Sequence, residues 1–132
     1  MYNLKVVLDT NVYISAIFWK GAPYRIVSKA TKNEFAVFIS QAIIKELANV
    51  LARDFERNEE EISTIINPLK LFVRFVETKS KINVIKDDPA DDRILECAID
   101  SNSQYIVTRD NHLLKLRNYK GIKIVTPIEF LK

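Results

Sequence analysis

The stretch VVLDTNVYIS, residues 6–15, decides how the chain is read. Val6, Val7 and Leu8 make a short apolar run suited to a buried strand, and Val12, Tyr13, Ile14 and Ala16 resume the apolar pattern at helical spacing. Between the two runs stand a carboxylate, a hydroxyl and an amide: Asp9, Thr10 and Asn11. Asp9 has two readings. It is a helix N-cap, since an Asp oxygen accepts the orphan N–H groups of a first helical turn, or it is the first member of a functional site.

The remainder of the sequence repeats the strand-then-helix alternation. Pro23 suits the first turn of a helix running to about Lys32. AVFI, residues 36–39, reads as a strand, and Ser40 as the N-cap of a helix carrying Ile43, Ile44, Leu47, Val50 and Leu51 to about Phe55. Asn58 and Glu61 form a capping box, followed by the apolar stripe Ile62, Ile65, Ile66, Leu69, Phe72, Val73 and Val76, which Pro68 should kink or divide. Residues 82–85 read as a further strand, KDDPADD as a loop in which Asp87 and Asp88 are turn residues, and Ile94, Leu95, Ala98 and Ile99 as a helix. Strands at 105–108 and 122–125 enclose a short helix at 111–116, and TPIEFLK is a capped final turn. Short, β-branched strands alternating with helices predict a parallel sheet inside a three-layer α/β/α sandwich.

Size and composition limit the alternatives. At 132 residues the chain is expected to be one domain, 1–132. Its 48% hydrophobic and 28% charged residues exclude a disordered or fibrous class. No apolar run approaches the 20 or so residues of a membrane span, and the N-terminal residues lack a signal-like pattern, so the expected location is the cytoplasm, without membrane association. The single cysteine, Cys97, cannot form an internal disulfide and reads as a small buried filler.

The acids then fall into place on this scheme. Asp9 follows the first strand, Asp110 lies just past the strand YIVT, and Asp87, Asp88, Asp91 and Asp92 follow the strand expected at 82–85. Glu46 stands in the second turn of the helix after AVFI. In an open parallel sheet ligands bind beyond the carboxyl ends of the strands, so these carboxylates approach one edge. Converging carboxylates repel unless a cation lies among them. Oxygen donors without His or Cys select a hard cation, Mg²⁺ or Mn²⁺, as one or two ions. The formal charge is only +3, from 20 basic and 17 acidic residues. Setting four acids aside as metal-bound leaves a remainder of +7, which suits a phosphodiester substrate. Lys20, Arg25, Arg93 and Arg109 are the candidate contacts to the backbone phosphates of such a substrate, because they flank these acids or follow the helix that Asp9 introduces. Trp19, in FWKGAPY, either stacks a base or anchors a loop or subunit interface.

VVLDTNVYISAI, SQAIIKEL, DDPADDRILECAI, YIVTRDNHLL and IVTPIEFL resemble, in that order, the successive motifs of PIN-domain nucleases, and among them the VapC-like toxins of toxin–antitoxin pairs. The ordered set covers nearly the whole chain. The resemblance implies a Rossmann-like sheet and a Mg²⁺- or Mn²⁺-dependent ribonuclease whose catalytic and metal-binding acids are Asp9, Glu46, Asp92 and Asp110, with Asp91 as the second choice for the third acid. Thr10 and Asn11 would orient Asp9, and Ser15 and Thr108 match small hydroxyl residues that line the family's site. Relatives often carry an acid where this chain has His112, which reads as a surface residue. The implied partners are RNA, a second copy of the chain and a small DNA-binding antitoxin. The alternatives are a housekeeping RNA-processing or structure-specific nuclease of the same family, and a non-catalytic relative that binds RNA or protein. Haloacid-dehalogenase-like phosphatases are excluded because Asn11 stands where their second Asp belongs. Response-regulator receivers are excluded because Lys123 is separated from Pro127.

Overall fold

The computed structural model describes residues 4–85 and 88–132; Asp87 lies outside the described residues. A six-stranded sheet runs through the centre in the order β3-β2-β1-β4-β6-β5. Its strands are β1 (Lys5–Leu8), β2 (Ala36–Ile39), β3 (Val73–Phe75), β4 (Tyr105–Val107), β5 (Asn118–Tyr119) and β6 (Ile122–Val125). The first four and β6 pair in parallel, with Val7 of β1 opposite Phe38 of β2 on one side and Ile106 of β4 on the other; β5 is antiparallel to β6. Helices α1 (Thr10–Phe18), α2 (Ala22–Thr31), α3 (Gln41–Asp54), α4 (Glu59–Ile66), α5 (Pro89–Ser101), α6 (Asn111–Leu114) and α7 (Pro127–Leu131) flank the sheet. This is the α/β sandwich that the alternating pattern predicts.

The core explains the strand composition. Val6, Val7 and Leu8 are fully buried, as are Val37, Ile106 and Val107, so the central strands are apolar on both faces. The chain lays β1, β2 and β3 outward to one side, then returns across β1 to place β4 on the other. The strand order therefore reverses between β1 and β4. Asp9 N–H donates to the Val107 carbonyl at 2.9 Å, which fastens the two strands together at that reversal.

Two segments depart from the sequence-based expectation. The stripe from Ile62 to Val76 is not one helix. Pro68 has no N–H to continue the helical ladder, α4 stops at Ile66, a 3₁₀ turn occupies Asn67–Leu71, and the chain straightens into the edge strand β3. Ile66, Leu69 and Val73 are buried, whereas Leu71 is 89% and Phe75 53% exposed. The apolar surplus is thus confined to two side chains around the edge strand.

The second departure is at 82–85, which forms no strand. Helix α5 takes its backbone donors instead. Asp92, Glu96 and Asp100 recur every four residues and so form one row along the helix. Asp92 Oδ1 accepts the N–H groups of Val84 (3.0 Å) and Ile85 (2.9 Å), Glu96 Oε2 accepts that of Ile82 (2.9 Å), and Asp100 Oδ2 accepts those of Lys79 (2.6 Å) and Ser80 (2.9 Å). Arg93 joins this row, donating to the Ile82 carbonyl and to Glu96. With the N–H groups of Ile82, Val84 and Ile85 taken by side chains, the segment lacks the run of free donors a sheet ladder needs. Removing the Asp92 acceptor strands two N–H groups, one of them on buried Ile85. Asp92→Ala is therefore expected to lower unfolding free energy by about 1–3 kcal/mol and to accelerate amide exchange at Val84 and Ile85, read by urea titration and hydrogen-exchange NMR. Unchanged exchange at those amides would contradict the role assigned to Asp92.

Candidate active site

The reversal between β1 and β4 is where a doubly wound sheet opens a crevice, and a cleft of about 390 Å³ lies there. Helix α1 lines it with Thr10, Asn11, Ile14 and Ser15, and ends at Trp19; helix α3 lines it with Glu46, Val50 and Asp54, four residues apart and hence on one helix face. Asp9, Asp88, Asp91 and Asp110 complete the acidic part of the lining.

Three of these acids are helix caps. Asp9 accepts from Thr10 N–H at 2.7 Å, Asp88 from Ala90 N–H at 3.1 Å, and Asp110 from His112 N–H at 2.8 Å. The positive ends of α1, α5 and α6 thus meet the same cluster of negative charge. Asp9 is a cap and a cleft residue at once, so its two readings are compatible. Its other oxygen is held by the Thr108 hydroxyl, which donates at 2.6 Å, and by the Asn11 amide at 3.3 Å. Thr108 Oγ1 also accepts the Asp110 N–H at 2.9 Å, linking the acids at the ends of β1 and β4. Asn11 Oδ1 accepts the Arg109 N–H, and the Arg109 guanidinium donates to the Ser15 hydroxyl at 3.2 Å. Thr10, Asn11, Ser15 and Thr108 therefore brace the acids and the arginine beside them.

The four acids put forward from the sequence separate into two groups. Asp9, Glu46 and Asp110 line the cleft. Asp92 does not: its Oδ1 holds the 82–85 backbone, and Asp91 is the acid that lines the cleft in its place. Consecutive residues on a helix project about 100° apart, so only one of this pair can face the cleft. Arg93, expected at the RNA phosphates, is engaged by Glu96 and the Ile82 carbonyl. Lys20, Arg25 and Arg109 are exposed. Sequence reasoning passed over two contributors, Asp88 and His112. Asp88 precedes Pro89, a cap-then-proline pair that marks a helix start, and His112 stands two residues after another capping Asp.

One donor atom from each of Asp88, Asp91, Asp110 and His112 lies within 4.8 Å of the others. His112 Nδ1 is 3.5 Å from Asp110 Oδ1 and 3.9 Å from Asp91 Oδ2. Asp91 is only 4% exposed, and its Oδ2 is buried with no hydrogen-bond partner among the described residues. Burial raises the Asp9 carboxyl to about 6, against the lowering influence of the Thr108 and Thr10 donors. Asp91 is driven up further by burial and by the charges of Asp9 and Asp110. Crowded carboxylates, an orphaned oxygen and one imidazole fit a divalent cation.

A raised carboxyl pKa costs stability once the group ionises. Asp9 contributes full stability below about pH 4 and loses it as pH rises through about 6, an effect of order 3 kcal/mol; Asp91 extends the loss upward. The metal-free protein is therefore expected to melt lower at pH 8 than at pH 5, and Mn²⁺ to restore more stability at pH 8. Thermal melts with EDTA and with Mn²⁺ at both values measure this. A metal-free melting temperature that rises over that interval would contradict the electrostatic account.

A family model for the PIN domain matches residues 5–112. MJ1680, an uncharacterized protein of Methanocaldococcus jannaschii, is 28% identical over 98% of this chain and 91% of its own length. Two solved structures have a similar fold. VapBC2 from Rickettsia felis, crystallised bound to a promoter DNA fragment, aligns with a TM-score of 0.64 at 16% identity, over 92% of this chain and 97% of that chain. PAE2754 from Pyrobaculum aerophilum aligns with a TM-score of 0.59 at 16% identity, over 97% and 88%.

Proposed function

The chain belongs to the PIN-domain family, a family of nucleases, and from that premise we propose that it is a divalent-metal-dependent endoribonuclease, the toxin of a toxin–antitoxin pair. The observation that carries this reading is the buried Asp91 carboxylate, crowded against Asp9, Asp88 and Asp110, whose Oδ2 accepts no hydrogen bond among the described residues. A cluster so arranged is unfavourable by itself and is resolved by a cation.

Asp9, Asp91 and Asp110 are the proposed ligands, with Asp88, Glu46 and His112 alongside. Mg²⁺ or Mn²⁺ bound there would supply charge neutralisation at a phosphoryl group and a lowered pKa for water. The remaining work falls to the chain itself. Thr108 holds Asp9 and Asp110 at a fixed separation through one hydroxyl. Asn11 adds a second donor to the same Asp9 oxygen and fixes the backbone of Arg109. Arg109, steadied by Ser15, offers a guanidinium for the phosphate, and Lys20 and Arg25, exposed beyond the C-terminal end of α1, are further candidate phosphate contacts. No covalent intermediate on the protein is required.

The toxin assignment draws on the resemblance to VapC-like chains and on the fold shared with VapBC2, a complex found on its promoter DNA; a small DNA-binding antitoxin is the corresponding proposed partner. A homodimer is also proposed, through exposed Leu71 and Phe75 at the β3 edge.

Labelled single-stranded RNA is expected to be cut with Mg²⁺ or Mn²⁺ and spared with EDTA; cutting that ignores EDTA would refute the metal reading. Asp9→Asn keeps a capping oxygen but removes the charge, and should lose at least about 100-fold in turnover while the metal-free fold is as stable or more so. Asp91→Asn should also abolish Mn²⁺ binding by calorimetry, whereas Asp92→Ala should retain it and lose stability instead. Reversal of that last pair would return the third ligand to Asp92.

A further inference from the structure

Asp9, Asp88, Asp91 and Asp110 gather at one end of the cleft, while on α3 Glu46 and Asp54, the latter paired with Arg53, also line it. Its other end is formed by Ile14, Val50, Trp19 and Phe55. Trp19 is the single tryptophan of the chain and is 58% exposed, yet it is held in place. Phe18 and Phe55 stack with centroids 4.5 Å apart, and Trp19 meets both edge-on, at 5.9 and 6.3 Å. The Arg57 guanidinium lies over the Phe18 ring at 5.4 Å. Trp19 also closes α1, its N–H donating to the Ser15 carbonyl at 2.9 Å. A large indole fixed by its neighbours, with more than half its surface in water, is poorly explained as a loop anchor. It has the form of a stacking platform, since an aromatic face ordered beforehand loses little entropy on binding.

We propose that Trp19, backed by Phe55, binds a nucleobase of the RNA on which the acidic end acts, so that one cleft holds a base at its aromatic end and a phosphodiester at its acidic end. This rests on the nuclease reading above and adds a subsite to it. Asp9 caps the start of α1 and Trp19 its end, about 15 Å apart along the helix. That is further than a base stands from its own phosphate, so the stacked base belongs to a nucleotide flanking the cleaved bond. Stacking accepts any base face; this subsite therefore sets affinity and the position of the strand more than its sequence.

The test uses Trp19 as its own reporter. The full-length protein is titrated with a single-stranded oligoribonucleotide, and with the same strand carrying abasic sites, in Ca²⁺ to slow cleavage. Tryptophan fluorescence and affinity are both read. The RNA should quench the fluorescence and bind about 5- to 150-fold more tightly than the abasic strand, the range that base–aromatic stacking covers. Trp19→Ala should bring that ratio close to one, and Trp19→Phe should keep most of it. RNA that binds and is cut without quenching, with an affinity ratio unaltered in Trp19→Ala, overturns the subsite while the nuclease reading stands, and turns attention to a protein partner for the aromatic rim. RNA neither bound nor cut by the unmodified protein overturns both.

Discussion

The structure is organised around a repulsion. Four aspartates, Asp9, Asp88, Asp91 and Asp110, line one cleft where the strand order reverses, and burial with mutual charge drives Asp9 and Asp91 away from their ionised forms. Nothing in a folding chain gathers such groups without compensation. Part of it is built in. Three of the acids cap helices, so each meets N–H groups and a positive helix end. Part of it is mechanical: the Thr108 hydroxyl and the Asp9–Val107 backbone bond lock β1 to β4, so the acids cannot drift apart to relieve their repulsion. The rest is what the proposed cation would supply.

Helix α5 shows how a single element can serve both the site and the fold. Asp88 and Asp91 turn toward the cleft, while Asp92, Glu96 and Asp100 grip the backbone of 79–85. This grip does what a further strand would otherwise do: it satisfies the N–H groups of an extended segment. It also fixes α5 from one side, which sets the direction in which Asp91 points. Carboxylates a single residue apart thus have unrelated roles, one electrostatically unfavourable until compensated and one holding two backbone N–H groups.

Local chemistry was legible wherever the signal was local. Ser40, Asn58 and Thr126 cap the helices their positions announce, the strands AVFI and IKIV stand at their expected residues, and Asp9, Glu46 and Asp110 converge as their places after strands implied. What failed was decided at a distance. Apolar residues 72–76 suit a helix stripe and a short strand equally, and pairing with β2 made the choice. The segment 82–85 has strand composition, but the acids that claim its donors lie one helix further on. The choice between Asp91 and Asp92 turned on the same contact, which no spacing in DPADD records. The hairpin partner β5 is two residues long, and its signal is the turn at Lys120 and Gly121, both with positive φ.

The central claim is that the crowded acids at the β1–β4 reversal form a divalent-cation site. Crystals grown in Mn²⁺, with anomalous scattering recorded at the manganese edge, test it most directly. The account predicts a peak bounded by Asp9, Asp91 and Asp110, with Asp92 still bound to the backbone of Val84 and Ile85. A cleft with no anomalous peak at saturating Mn²⁺, or a peak coordinated by Asp92, would contradict it.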